Sequence, residues 1–204
     1  MAFYIFPSAV PKNDCKKYLK HCLDTADFEN GATVKRTLND TFNQNVFSSS
    51  NEITTDPDIR KTSVSFIDDE SDVMNEIIWG FIRHANKKFF NYELRTFQPI
   101  QFAKYQNGGH YDWHQDDSVY RKKKLCRKLS LTFSLSDPDD YEGGELQFYN
   151  GGRKRVNKIE TLHEQIKSVG TVIVFDSRDW HRVTPVTKGV RYSIVCWTVG
   201  PNFV

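Results

Sequence analysis

Apolar and polar positions change period near residue 97, and the change separates two kinds of structure. Before it, apolar residues recur at helical spacing. From Pro11, the steps Cys15, Tyr18, Leu19, Cys22 and Leu23 predict a helix that starts near Asn13 or Asp14. Val73, Ile77, Ile78, Phe81, Ile82 and Ala85 predict a second, from about Ser71 to Phe89, packed on a sheet by its apolar stripe. Phe3 to Phe6 reads as a short strand ended by Pro7. Residues 39 to 59 are rich in Asn, Ser, Thr and Asp and show no period, which predicts a loop of the kind that often carries function.

After Gln98 the chain breaks into short alternating runs divided by Gly, Pro, Asn and Asp. Strands are expected at Ile100–Tyr105, Tyr111–Asp116, Lys128–Leu135, Glu145–Tyr149, Thr171–Phe175, His181–Val186 and Arg191–Val199. Many short strands with helices outside them predict a mainly β sandwich or barrel. In one strand Leu129, Leu131, Phe133 and Leu135 alternate with Ser130, Thr132 and Ser134. That polar face either lines an internal cavity or meets water, and water is the commoner arrangement. No repeat or low-complexity tract interrupts the chain. A single domain over 1–204 is expected, with 1–96 supporting a catalytic core at 97–204.

Composition narrows the class. The chain has 204 residues, 38% of them hydrophobic and 26% charged, as in a globular domain with a real core. Aromatics reach 14%, with fifteen Phe and nine Tyr, which favours strands. A net charge of +2 gives no global field that would argue for nucleic acid or a membrane. The apolar start from Met1 to Val10 is too short to span a bilayer and lacks the features of a signal peptide. The four cysteines (Cys15, Cys22, Cys126, Cys196) form no CxxC pair. A cytoplasmic location without disulfides is the expectation.

The chemistry lies in the β-rich half. His110, Asp112, His114 and Asp116 are two apart, so on one strand all four share a face. They form two overlapping HxD pairs, and periodicity cannot choose between them. His181 adds a second imidazole, and Arg191 follows ten residues later. Two His and one carboxylate on one face of a metal leave the opposite positions open, the ligand set of non-haem Fe(II) oxygenases. A guanidinium is a planar fork suited to gripping a carboxylate. Together they suggest an oxygenase that uses a 2-oxo acid.

One family matches these residues in order. Tyr105-Gln-Asn-Gly-Gly-His-Tyr111-Asp-Trp-His114-Gln-Asp116 resembles the YxxGxxYxxHxD segment of prolyl 4-hydroxylase-like 2-oxoglutarate/Fe(II)-dependent dioxygenases. Arg127 to Thr132, Tyr141-Glu-Gly143-Gly144-Glu-Leu146, Gly170 to Phe175, His181 to Val186 and Gly189 to Trp197 continue the likeness over roughly the last hundred residues. Before them it is looser, chiefly at Arg60-Lys-Thr-Ser63 and the long helix. The resemblance implies a double-stranded β-helix (jelly-roll) core with supporting helices. It implies Fe(II) on His114, Asp116 and His181, and Arg191 on the distal carboxylate of 2-oxoglutarate. Tyr105 falls where a tyrosine reaches the co-substrate, and Leu146 where an apolar residue walls it. Ser134 replaces a tyrosine of some relatives, so Thr132 or Ser134 would serve the carboxylate through water. Asp116 stands where related halogenases have a small residue, which favours hydroxylation.

The expected co-substrates are 2-oxoglutarate and O2, with ascorbate as a further cofactor, and the products include succinate and CO2. His110 and Asp112 then become neighbours of the ligands, a solvated or hydrogen-bonded pair at the mouth. Trp113 and Trp180 should face away from the ligands into core or wall, and Trp197 should pack. Gly143-Gly144 reads as a turn. The expected substrate is a prolyl residue in a peptide or protein. It would be acidic if the basic runs Arg121–Lys124 with Arg127-Lys128, or Arg153–Arg155, take part in binding rather than meeting water. Alternatives are hydroxylation of a small molecule such as a free amino acid, and a non-enzymatic metal-binding jelly roll. Nucleic acid is disfavoured, because the last strand lacks the further arginines of the related demethylases.

Overall fold

The computed structural model describes residues 3–31, 33–34, 53–54, 56–67, 72–117, 119–120, 124–151, 157–161 and 167–203. Most of the 39–59 loop, Arg121 to Lys123 and the Arg153–Arg155 run lie outside the described residues. Two antiparallel sheets face each other. In the larger, the order is Phe3–Phe6, Val172–Asp176, Leu125–Ser134, Val186–Pro201, Ile100–Gln106, Ser63–Ile67 and Glu29–Asn30. The smaller runs Asn157–Thr161, Leu146–Gly151, His181–Val183, His110–His114 and Arg60–Lys61. Two facing sheets of non-sequential strands make the jelly roll the sequence predicts.

Two helices, α1 (Lys12–Thr25) and α2 (Asp72–Ala85), cover the outer face of the large sheet. Cys15 and Cys22 of α1 and Met74, Ile78, Ile82 and Ala85 of α2 are buried with Phe102, Leu129, Leu131, Phe133, Ile194 and Cys196 of the sheet. Leu23, expected on the apolar side of α1, is instead exposed, at the margin of a stripe centred on Cys15 and Cys22. The second helix ends earlier than its apolar pattern suggests. A π-turn, Asn86–Phe90, follows it and closes at Asn91 in the left-handed region (φ 55°), while the Asn86 side chain holds the Tyr92 backbone by two hydrogen bonds of 2.9 Å. Among the described residues, no helix is long and apolar enough to cross a membrane.

The alternating strand resolves in favour of the cavity. Leu129, Leu131 and Phe133 face the helices, so Ser130, Thr132 and Ser134 face the small sheet, with Ser130 0% and Ser134 3% exposed. A second apolar cluster, including Ala103, Tyr105, Leu146, Phe148, Ile173, Phe175 and Val183, fills the rest of the space between the sheets. Ser63–Ile67 has no counterpart among the expected strands. Its pattern misleads because Ser65 is buried, accepting the Asp27 backbone N–H at 3.1 Å, while Phe66 is exposed.

Candidate metal centre

The four residues of the overlapping HxD pairs do not share a face, because their strand is bulged. His114 lies opposite His181 and Tyr111 opposite Val183, so three steps on one strand meet two on the other. The extra residue reverses the alternation. Tyr111 and His114 both turn inward and their rings stack with centroids 3.4 Å apart. Trp113, expected in core or wall, turns outward instead, where the Arg182 guanidinium lies 4.7 Å over its ring. Trp180 is half-buried. The Asp112 carboxylate also points outward, half-exposed and 3.9 Å from Arg182. His110 contacts the carbonyls of Gly108 and Asp58 at 3.0 and 3.1 Å. Asp116 lies past the strand end, where its N–H donates to the Ser177 carbonyl at 2.8 Å.

Among the described residues, His114, Asp116 and His181 alone form a cluster suited to a metal, with ligand atoms all within 4.8 Å of one another. The two Nε2 atoms stand 3.7 and 3.5 Å from the Asp116 carboxylate oxygens, beyond hydrogen-bond range. Each histidine is fixed the same way. His114 Nδ1 bonds the Asp112 carbonyl at 2.7 Å, and His181 Nδ1 bonds the Asp179 carbonyl at 2.9 Å. A carbonyl only accepts, so each Nδ1 carries the proton and each Nε2 offers a lone pair inward. Asp116 Oδ2 accepts from Ser130 Oγ at 2.7 Å, and Ser177 Oγ lies 3.0 Å from that hydroxyl.

Burial, with the neighbouring His181, holds His114 well below the usual imidazole range and so neutral. Burial by itself would raise the Asp116 carboxyl. The two imidazoles, Arg127 and the Trp197 indole outweigh it and bring the carboxyl down to about 2. Two imidazoles and one carboxylate, with their outer atoms already hydrogen-bonded, fit a divalent iron and leave one side of it open.

The other end of the cavity is built differently. Arg191 is 2% exposed and lies opposite Tyr105 on the neighbouring strand, its guanidinium carbon 5.3 Å from that ring. Its Nη1 donates to Ser193 Oγ at 3.3 Å, its Nε has no hydrogen-bond partner, and no carboxylate pairs with it among the described residues. Ser134 Oγ is likewise buried without a partner. Leu146 is buried beside Tyr105 in the inner cluster, and Thr132 is half-buried. A Cβ on Gly144 would come within 2.8 Å of the Arg191 side chain, and both Gly143 and Gly144 have positive φ (76° and 63°). The expected turn is therefore present, and it crosses close over the arginine stem. A buried guanidinium this poorly satisfied is a receptor for an anion.

Sequence reasoning about sites missed Ser130, Ser177, Arg127 and Arg60. The polar alternation of the Leu125–Ser134 strand is the signal for Ser130. Arg127 donates to Gln98 and stacks 4.0 Å over Trp197, so this end of its basic run is used structurally.

Facing β-sheets of a jelly roll thus bring together a His-Asp-His cluster that could hold a metal and a buried arginine. Residues 100–199 match the model of the 2OG-Fe(II) oxygenase superfamily. A PKHD-type hydroxylase of Teredinibacter turnerae is 35% identical over 102 residues, covering 48% of this chain and 42% of the relative. The chain spans about half the length of the curated relatives it matches. Among solved structures, a Pseudomonas putida prolyl-4-hydroxylase aligns with TM-score 0.65 at 17% identity, over 96% of this chain and 91% of that one. A Trichoplax adhaerens prolyl hydroxylase, solved with a peptide fragment of the hypoxia inducible factor oxygen degradation domain, aligns with TM-score 0.68 at 18% identity over 96% and 82%. At these identities the structural matches speak for the fold alone.

Proposed function

We propose that this protein is an Fe(II)- and 2-oxoglutarate-dependent dioxygenase that hydroxylates a prolyl residue in a peptide or protein. One observation carries the reading: an inward-facing His-Asp-His cluster lies between the same two sheets as a buried arginine that no described carboxylate neutralises. His114, Asp116 and His181 would hold the iron. Arg191 would take the distal carboxylate of 2-oxoglutarate, with Tyr105, Thr132, Ser134 and Leu146 around it. When bound, the iron and its co-substrate supply the O2 activation that oxidises a C–H bond, with succinate and CO2 released.

The protein's own residues bind, orient and exclude water. Ser130 fixes the Asp116 carboxylate, the Asp116 N–H ties its backbone to the Ser177 carbonyl, and two carbonyls fix the imidazoles. Phe175 and Phe148 close over His181, with ring centroids 4.7 and 5.9 Å away. That apolar wall keeps water from competing at the centre. The prolyl substrate is carried over from the two prolyl hydroxylases that share the fold.

Anaerobic addition of Fe(II) and 2-oxoglutarate to the metal-free protein tests the reading, through the weak visible charge-transfer band of chelated iron. The band should appear in the wild type and in His110→Ala, and vanish in His114→Ala. Its absence from the wild type would overturn the assignment.

A further inference from the structure

Behind the iron centre, where the chain crosses from the small sheet to the large one, lies a second cavity of about 430 Å³. Asn30, Gly31, Pro57, Arg60, Lys61, Thr62, Ser63, Lys104, Gln106 and Asn107 line it. Among the described residues its walls carry three cations and no carboxylate, and Asn30, Gln106 and Asn107 add amide groups that donate to anions. Lys61 Nζ is bonded to the Asn107 carbonyl at 2.7 Å, and Lys104 Nζ lies 5.6 Å from the Phe28 ring. Among the described residues neither ammonium pairs with a carboxylate. Asp56 and Asp58 flank Pro57, but neither lines the cavity, and the Asp58 N–H already donates to Asp56 Oδ1.

Arg60 is the wall shared with the iron centre. It is 9% exposed, its guanidinium lies 4.5 Å over the Tyr111 ring, and that ring stacks on His114. Gly31 shapes the other side, where a Cβ would meet Arg60 Nε at 2.6 Å. The cavity is therefore moulded around a rigid cation. It does not suit a purely apolar ligand, because such a ligand would desolvate Arg60, Lys61 and Lys104 without pairing them. Nor does it suit nucleic acid, since among the described residues no lining residue is aromatic to stack a base.

We propose that this cavity is a recognition subsite for a carboxylate of an acidic peptide substrate, a reading that rests on the proposed function. Its place in the fold gives the spacing. Lys61 lies opposite His110, four residues before His114 on the same strand. The bulge shortens those four residues to about three strand steps, ~10 Å at ~3.3 Å per step, the reach of about three to four residues of extended peptide. The acidic residue should sit about that far from the hydroxylated one.

The test is binding by fluorescence anisotropy to the metal-free full chain, so it does not depend on turnover. The probes are a labelled peptide bearing one proline with paired glutamates about four residues away, and its glutamine twin. The glutamate peptide should bind about tenfold more tightly, with the advantage falling as salt rises. Lys61→Gln with Lys104→Gln should remove most of that advantage, and a urea titration should show the variant still folded. Equal binding of the twins, or a preference that survives the double substitution, overturns the subsite. Displacement of the glutamate peptide by succinate at equal concentration would assign the cavity to a small free anion instead and overturn the peptide source. Failure here, with the charge-transfer band intact, leaves the oxygenase reading standing. Loss of the band with the peptide preference intact does the opposite.

Discussion

The two ends of the cavity follow opposite rules of hydrogen bonding. At the His-Asp-His end, the outer atoms are held: each Nδ1 by a carbonyl two residues back, and the carboxylate by Ser130. At the Arg191 end, buried donors are left over, on the arginine Nε and the Ser134 hydroxyl. The first pattern orients donors that must meet a small ion from fixed directions. The second leaves donors for a ligand that brings its own acceptors. The imidazoles and carboxylate are thus braced from behind, while the arginine keeps donors in hand.

The comparison breaks most visibly at Arg191. Removing one side of a buried charge-assisted bond costs on the order of 1.5–3 kcal/mol, about ten- to a hundredfold in affinity. Arg191→Ala should raise the 2-oxoglutarate requirement by that factor and leave Fe(II) affinity nearly unchanged. Arg191→Lys should lose less, keeping the charge but not the fork. Titrating the charge-transfer band separately with iron and with co-substrate measures both. An alanine variant as good as wild type would remove the clamp.

The metal end should show itself through pH. His114 is neutral in the folded protein because burial lowers its proton affinity, while the unfolded chain takes up a proton near 6.5. Below that pH the unfolded state binds more protons, so the metal-free protein loses stability as pH falls, by up to about 1.4 kcal/mol per pH unit for one proton. Asp116 acts with the same sign lower down: its contribution is present above 3.8 and is lost as pH falls toward about 2. Urea midpoints of the metal-free protein at pH 7.5, 6.5 and 5.5 (~, spanning the imidazole range) check this. His114→Gln should flatten the dependence, and an unchanged slope would count against a neutral, buried imidazole.

Much of this contrast was legible in the sequence, though unevenly. The strict alternation of Leu129, Leu131 and Phe133 with the serines and Thr132 marked a two-faced strand. Which face met water depended on α1 and α2 covering the greasy side, a tertiary fact no local period contains. The resemblance picked His114 over His110, where spacing alone could not. The bulge between Tyr111 and His114 is the physical reason spacing was insufficient: one extra residue breaks the two-residue period on which the shared-face argument rested. Arg60 gave no signal of its own, since its burial depends on Gly31 and Tyr111, remote in sequence.

The finest test sets two serines of one strand against each other. Ser130 and Ser134 are both buried on the inner face, four residues apart, yet one is bonded to Asp116 and the other to nothing described. Ser130→Ala frees a ligand carboxylate, and substitutions of that kind typically cost about ten- to a hundredfold in metal affinity. It should weaken Fe(II) binding and leave 2-oxoglutarate affinity alone. Ser134→Ala should do the reverse and by less, about two- to tenfold on the co-substrate, the worth of one neutral hydrogen bond. If both variants moved the same constant, the two ends would not be separate sites, and the division of labour along the Leu125–Ser134 strand would fail.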